Sequence, residues 1–427
     1  MSLSNPWFIA AVLGVLGVFH LEIIATFLNL AQFRHALPQR LKAIFSEETV
    51  QKAGEYAGKS SQLDLLRSTF SVGALVLFWW SGGFDWLQRW SVGWGLNAVQ
   101  TGVGVIGLLM LVQNILSLPF DAYDTFKIEA EYGFNRTTVG TFISDRLKGL
   151  LLTALLGGPL LALILWFFQT QIHAVLYTWL TVAGFSIVMA WLSPRLLMPL
   201  FLKFKPLEDG PLREALLALA ARLKFPVVDV SVVDGSRRSS KANAFLSGFG
   251  KNKRIALFDT LIEKHSQEEL EAILAHEIGH HKCRHVPQQL VLGLLESGLM
   301  FYLLHAALQS SAFFQAFGVT GQPLGLGLVL FSILYQPAAG PDEQRPEPQA
   351  RIPGRRLRPR RLRQHPSDRR PAKALARPPH SPQSARPDCL AALFPPTHRP
   401  ASGGSGSLKC LFTVFFRIRD KCLPSSP

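Results

Sequence analysis

Cysteine is scarce: four in 427 residues, and only Cys283 precedes residue 336. Cys389, Cys410 and Cys422 form no C-x-x-C pair and no disulfide framework, so the thiols imply no redox chemistry. Acidic residues are also few, 29 against 44 Lys and Arg, for a net charge of +15. That excess does not mark a nucleic-acid binder, because residues 337–427 hold 15 Arg and 3 Lys against 6 acids, or +12, and leave +3 for everything before them. Charged residues of both signs make up only 17% of the chain, and the mean hydropathy is +0.21. A chain of this length would ordinarily be read as two or three soluble domains, but its long apolar runs point to a polytopic membrane protein instead.

The apolar runs predict seven membrane spans, at about residues 7–30, 69–87, 98–118, 150–169, 174–191, 286–307 and 318–336. The first has neither a basic leader nor a small-residue cleavage site and reads as a retained anchor. Loop charge supplies an internal test. Residues 31–68, 119–149 and 192–285 hold six, four and fifteen Lys and Arg, whereas 88–97, 170–173 and 308–317 hold one, none and none. The positive-inside rule therefore puts the N-terminus outside and the long segment 192–285 in the cytosol. Within the first span, His20 and Glu22 are ionisable groups that at bilayer depth need a polar cavity or a partner, or else lie near the hydrated interface.

Inside segment 192–285 the sequence SQEELEAILAHEIGHHKCRH predicts a helix over 266–285. Ser266 with Glu269 forms a capping box, and Leu270, Ile273, Leu274 and Ile278 form an apolar stripe. His276-Glu277-Ile278-Gly279-His280 is the H-E-x-x-H pattern of zinc proteases. Histidines four apart project from one helix face, so both imidazoles can reach one metal ion. Glu277 then lies beside the metal, where a carboxylate can take a proton from an attacking water and pass it to the leaving amine. Gly279, costly inside a helix, suggests that something packs closely against that turn.

Upstream, 211–223 reads as an amphipathic helix and 227–233 as a strand rich in β-branched residues. Residues 242–246 and 254–258 flank Gly248-Phe249-Gly250-Lys251-Asn252 as a hairpin. A small sheet thus precedes the metal helix, and an edge strand there can hold an extended peptide by main-chain hydrogen bonds. Asn243 is the candidate polar contact to that peptide; a turn-facing Asn is the alternative. The run LPFDAYDTFKIEAEYGFNRTTVGTFISDRLKG, aromatics among charges, is neither a span nor an ordinary linker.

Four motifs in order, GFNRTTVGTFISDRLKG, PLFLKFKPLEDGPL, DGSRRSSKANAFLSGFGKNKRIALFDTL and AHEIGHHK, resemble the integral-membrane CAAX prenyl endopeptidases over about residues 25–310. The resemblance implies a seven-span enzyme, mainly α, with a small α+β zincin-like catalytic domain. Its helices would enclose a membrane-embedded chamber with one zinc ion on the inner wall. Such an enzyme removes the last three residues of a prenylated C-terminal CAAX segment. Its partners are then a peptide or protein substrate and membrane lipid, and no nucleic acid. Bacterial members resemble it in architecture and point to membrane quality control as the alternative. By the resemblance His276 and His280 are zinc ligands, Glu277 is the base and Asn243 lies in the substrate-binding strand. The host membrane is a bacterial inner membrane or the endoplasmic reticulum.

The organisation expected is 1–191 with five spans, 192–285 as the catalytic domain, 286–336 with two further spans, and 337–427 as a tail. The tail does not fit the family, whose third zinc ligand is a glutamate on a later helix. Seventeen of the 28 prolines fall in residues 337–427, and the only tail glutamates, Glu343 and Glu347, lie among Pro341, Pro346 and Pro348. Either this is a disordered basic tail attracted to anionic lipid, or the coding frame changes near residue 336; the abrupt shift favours the second. A site left with two histidines implies impaired zinc binding, or an inactive membrane protein that keeps part of the site. Cys283 is a conceivable substitute ligand, whereas His281 and His285 are expected to complement the helix C-terminus. Cys422, sixth from the end, makes the chain no CAAX substrate itself.

Overall fold

The computed structural model of the chain describes residues 3–33, 46–247 and 253–339. The turn at Gly248 to Asn252 and the tail from residue 340, including Glu343, Glu347 and Cys422, lie outside the described residues. Among those described, six helices are long and apolar enough to cross a membrane. They are α1 (Pro6–Gln32), α2 (Glu47–Trp80), α4 (Ala98–Glu131), α5 (Val139–Thr170), α6 (Ala174–Leu200) and α10 (His285–Leu308). The protein is a mainly helical, multi-pass membrane protein. Outward-facing Leu13, Phe27, Leu77, Ile115, Leu155, Leu180 and Leu299 are exposed in the way that a hydrocarbon surround accommodates.

Two expected spans are corrected. The second stops at Trp80; a turn through Gly82, at φ +78°, starts a separate short helix, α3 (Gly83–Val92). After the short helix α11 (Ser311–Ala316), the seventh apolar stretch becomes helical only at Leu324, because Gly318 and Gly321 hold left-handed φ values of 73° and 77° just before it. This helix, α12 (Leu324–Ala339), has an apolar part, Leu324–Gln336, that falls short of the roughly 20 residues a crossing needs. It packs against α1, α4, α5 and α10, with Leu326, Leu328, Val329, Leu330, Phe331 and Ile333 all buried. Its apolar residues therefore fill the bundle interior. The two ionisable residues of the first span find polar partners: Glu22 accepts a hydrogen bond from Ser68 on α2 at 3.3 Å, while His20 meets the Leu16 carbonyl at 2.6 Å.

The crossing of α4 and α12 is a contact of two glycines. A Cβ added at Gly325 would lie 2.3 Å from the Gly102 Cα, and one at Gly102 would lie 2.8 Å from a Leu165 methyl. Neither backbone can yield without parting the helices. Gly325→Ala is therefore expected to destabilise the bundle by about 1–3 kcal/mol through overpacking. Gly107, on the same helix as Gly102, has nothing within 4 Å of its would-be Cβ and serves as the control. Thermal unfolding in detergent should show a lowered midpoint for Gly325→Ala and none for Gly107→Ala; equal midpoints would contradict the close crossing.

The mixed unit between α6 and α10 follows the expected pattern closely. Strand β1 (Phe204–Pro206), helix α7 (Pro211–Arg222), β2 (Val227–Val233), β3 (Ala244–Ser247), β4 (Lys253–Phe258), α8 (Asp259–Lys264) and α9 (Gln267–Lys282) occur in that order. The sheet order is β1-β2-β4-β3, with β2 and β4 parallel and the other pairs antiparallel. The hairpin has Ala244 opposite Leu257, so β3 lies at the sheet edge. Val230, Val233, Ile255, Leu257, Leu216, Leu270, Leu274 and Ile278 form one buried core between the sheet and helices α7 and α9.

Candidate metal centre and substrate edge

Helix α9 is fixed at its start by the expected capping box: Ser266 Oγ accepts from the Glu269 amide, and Glu269 Oε2 accepts from the Ser266 amide at 3.0 Å. Its apolar stripe, Leu270, Leu274 and Ile278, is buried, which turns the opposite face outward with His276 exposed and His280 half-buried. On that face the two Nε2 atoms lie 3.0 Å apart. Two imidazole nitrogens each about 2.0–2.1 Å from a tetrahedral zinc stand about 3.3 Å apart, so the pair fits two corners of such a site with small adjustment. Glu277, between them in sequence, is half-buried.

The donor set is incomplete: among the described residues no group of three His, Cys, Asp or Glu side chains could hold a metal. Cys283 does not supply the third. The helix ends at Lys282, Cys283 is its exposed C-cap, and Arg284 takes a left-handed φ of 56°, so the chain turns before α10 begins at His285. The expectation of close packing at Gly279 also fails, since nothing lies within 4 Å of its would-be Cβ. That face is open among the described residues.

The turn at Arg284 has a consequence that helical spacing could not reveal. It brings His285 back so that its Nδ1 is 3.0 Å from Nδ1 of His280, in place of the expected role at the helix terminus. His280 thus has one ring nitrogen facing His276 and the other facing His285. His281 also departs from expectation: it points into the mixed unit, edge-on to Phe225 at 5.1 Å, with its Nε2 2.5 Å from Lys253 Nζ. Burial, together with the charge of Lys253, holds the His281 pKa below its ordinary value, and burial likewise lowers that of Lys253. Neutral His281 can therefore accept from the lysine.

Asn243 is exposed and immediately precedes β3; its side-chain oxygen accepts from the Ala244 amide at 2.8 Å, and its carbonyl accepts from the Phe258 amide at 3.0 Å. The segment leading to it is gripped from the membrane helices. Lys241 Nζ pairs with Glu129 at 3.2 Å and lies 4.7 Å from the Phe134 ring centre. Arg238 makes a two-pronged pair with Asp145 at 2.9 and 3.1 Å, and its carbonyl accepts from the Arg136 amide. The aromatic and charged run between the third and fourth expected spans, most of it at the ends of α4 and α5, thus docks the segment that leads to Asn243. Sequence reading singled out the run but not these partners, which lie about a hundred residues apart in the chain.

Comparison with known proteins agrees with this architecture. Residues 26–203 match the profile described as CAAX prenyl protease N-terminal, five membrane helices, and residues 206–343 match peptidase family M48. The chain is 35% identical over 339 residues to the CAAX prenyl protease 1 homolog of Arabidopsis thaliana, covering 76% of this chain and 79% of that one. The chain belongs to the CAAX prenyl protease family. The rice homolog (Oryza sativa subsp. japonica) of this family is 36% identical, over 72% of this chain and 76% of its own. Crystalline Ste24p of S. mikatae superposes with a TM-score of 0.73 at 29% identity, covering 78% of this chain and 83% of that one. Membership gives family-level support for a CAAX-protease-like membrane metalloprotease, in a family where zinc dependence is typical.

Proposed function

We propose that the chain carries the catalytic half-site of a zinc endopeptidase that trims prenylated CAAX termini, with its catalytic unit in the cytosol. The observation that carries the reading is the 3.0 Å approach of the His276 and His280 Nε2 atoms on a capped helix, with Glu277 between them. His276 and His280 would hold zinc, which when bound supplies Lewis-acid polarisation of the scissile carbonyl. Glu277 takes the proton of the attacking water and returns it to the departing amine. Asn243 and the edge strand β3 hold the peptide extended, with the Lys241–Glu129 and Arg238–Asp145 pairs fixing that strand against the membrane helices. His285 fixes the ring orientation of His280 by sharing a proton between their Nδ1 atoms, as outer partners of metal-binding histidines do.

The function is tested on a chimera in which residues 1–336 are joined to the corresponding C-terminal segment of the Arabidopsis thaliana relative. Given a farnesylated CAAX peptide and the same peptide without its lipid, it is expected to cleave the first far faster. Equal cleavage of both would favour quality-control proteolysis, and cleavage of neither would leave an inert scaffold. In the same chimera His285→Ala is expected to weaken zinc retention about 10–100-fold, with His285→Asn recovering part of the loss. Unchanged competition with a chelator would remove His285 from the site. The orientation follows from the loop charges, fifteen Lys and Arg in 192–285 against none in 308–317. A cysteine placed at Gln309 should accept an impermeant maleimide from outside intact cells; protection there would reverse the topology.

A further inference from the structure

Helix α3 was not anticipated as a separate element, and it has no role in the proposed site. Its inner face, Phe84, Leu87 and Ser91, is buried against the bundle, where Phe84 meets Phe78 at 5.0 Å and Phe317 at 6.0 Å between ring centres. Its outer face carries tryptophan where a soluble surface helix would carry charge. Trp86 and Trp90, one turn apart, are 56% and 46% exposed with their rings stacked 5.7 Å apart, and Trp94 meets Trp90 edge-on at 5.1 Å. Beside them on the helix is Arg89, the single Lys or Arg in residues 81–97. Its Nε is paired with Asp85 at 3.1 Å, and its side chain is 73% exposed. A cleft of about 540 Å³ opens beside it, lined by Phe78, Ser81, Gly82, Asp85, Trp86 and Arg89.

Connectivity decides what covers this face. Only Ser81 and Gly82 separate α3 from α2, and only residues 93–97 separate it from α4, both candidate membrane spans. Neither link is long enough to lift a helix of about 15 Å away from the bilayer boundary. Asp85 holds it there from the other side, accepting from the Thr320 amide at 3.0 Å and hydroxyl at 2.7 Å, in the turn that leads into α12. We propose that α3 is an interfacial helix lying in the headgroup layer of the non-cytosolic leaflet. Trp86 and Trp90 sit at the boundary of headgroups and acyl chains, and the free edge of the Arg89 guanidinium faces phospholipid phosphate. Indole suits that layer because its ring is apolar while its N–H still finds a polar partner, and arginine reaches phosphate from the same depth.

The test uses the full chain in phosphatidylcholine nanodiscs, with lipids brominated either near the carbonyls or near the methyl end. Trp86→Phe and Trp90→Phe each keep an aromatic ring, and subtracting their emission from that of the unaltered chain isolates the two indoles from the other seven tryptophans. The expected difference signal is blue-shifted from that of indole in water and is quenched at least about twofold more by the shallow bromines than by the deep ones. A water-like signal indifferent to either lipid would overturn the proposal, as would stronger quenching by the deep bromines. A signal shielded from both lipids in discs shown by mass to hold two copies would assign the face to a dimer and overturn it equally.

Discussion

In the chimera with a completed zinc site, Glu277→Gln is expected to lower kcat by about 10²- to 10⁴-fold, the contribution of a positioned general base. The substitution keeps the size and planarity of the side chain and removes its basicity. Zinc content should be unchanged, because the proposed ligands, His276 and His280, are held 3.0 Å apart by the helix and not by the carboxylate between them. The pairing of these readouts matters. A loss of both zinc and turnover would make Glu277 a structural support, whereas retained turnover would remove it from the reaction. The helix itself is secured at a distance from the substitution, by the Ser266–Glu269 cap and by the buried Leu270, Leu274 and Ile278. Misfolding is therefore not the expected cause of lost activity.

The 427-residue chain itself is expected to release its zinc to a weak chelator and to leave a farnesylated CAAX peptide uncut. Two imidazoles meet two of the four tetrahedral positions, and no described residue adds a third ligand. Removing even an outer partner of a metal ligand typically costs 10- to 100-fold in affinity, so loss of a direct ligand should cost about 100-fold or more. Geometry suffers in addition, because without a third ligand the open coordination position is not fixed relative to Glu277 and the edge strand. Purified protein dialysed against chelator and measured for zinc stoichiometry provides the check, alongside the peptide assay. Full occupancy together with cleavage abolished by His280→Ala would show that a residue outside those described, Glu343 or Glu347 first among them, completes the site.

Much of this molecule could be read from its residues alone because the relevant forces are local. The capping box at Ser266, the apolar stripe of α9, the strand at Val227–Val233, the hairpin that follows it and five of the seven apolar runs all follow from periodicity and end chemistry within a few residues. The H-E-x-x-H pair is legible for the same reason, since a helix alone fixes the separation of residues four apart. Where sequence reading failed, the deciding interactions lie between distant segments or in a single backbone angle. The left-handed turn at Arg284 brings His285 to His280. The positive φ values at Gly82, Gly318 and Gly321 divide one expected span into α2 and α3 and shorten another into a buried core helix. The grip on Asn243 joins Lys241 to Glu129 and Arg238 to Asp145 across about a hundred residues. Composition and periodicity describe which faces are apolar, but which apolar face meets protein and which meets lipid is settled only when the helices pack. Sequence alone therefore determined the elements and the spacing of the His276–His280 pair; tertiary structure decided which histidine lies beside His280, which helix is the core and which strand lies at the sheet edge.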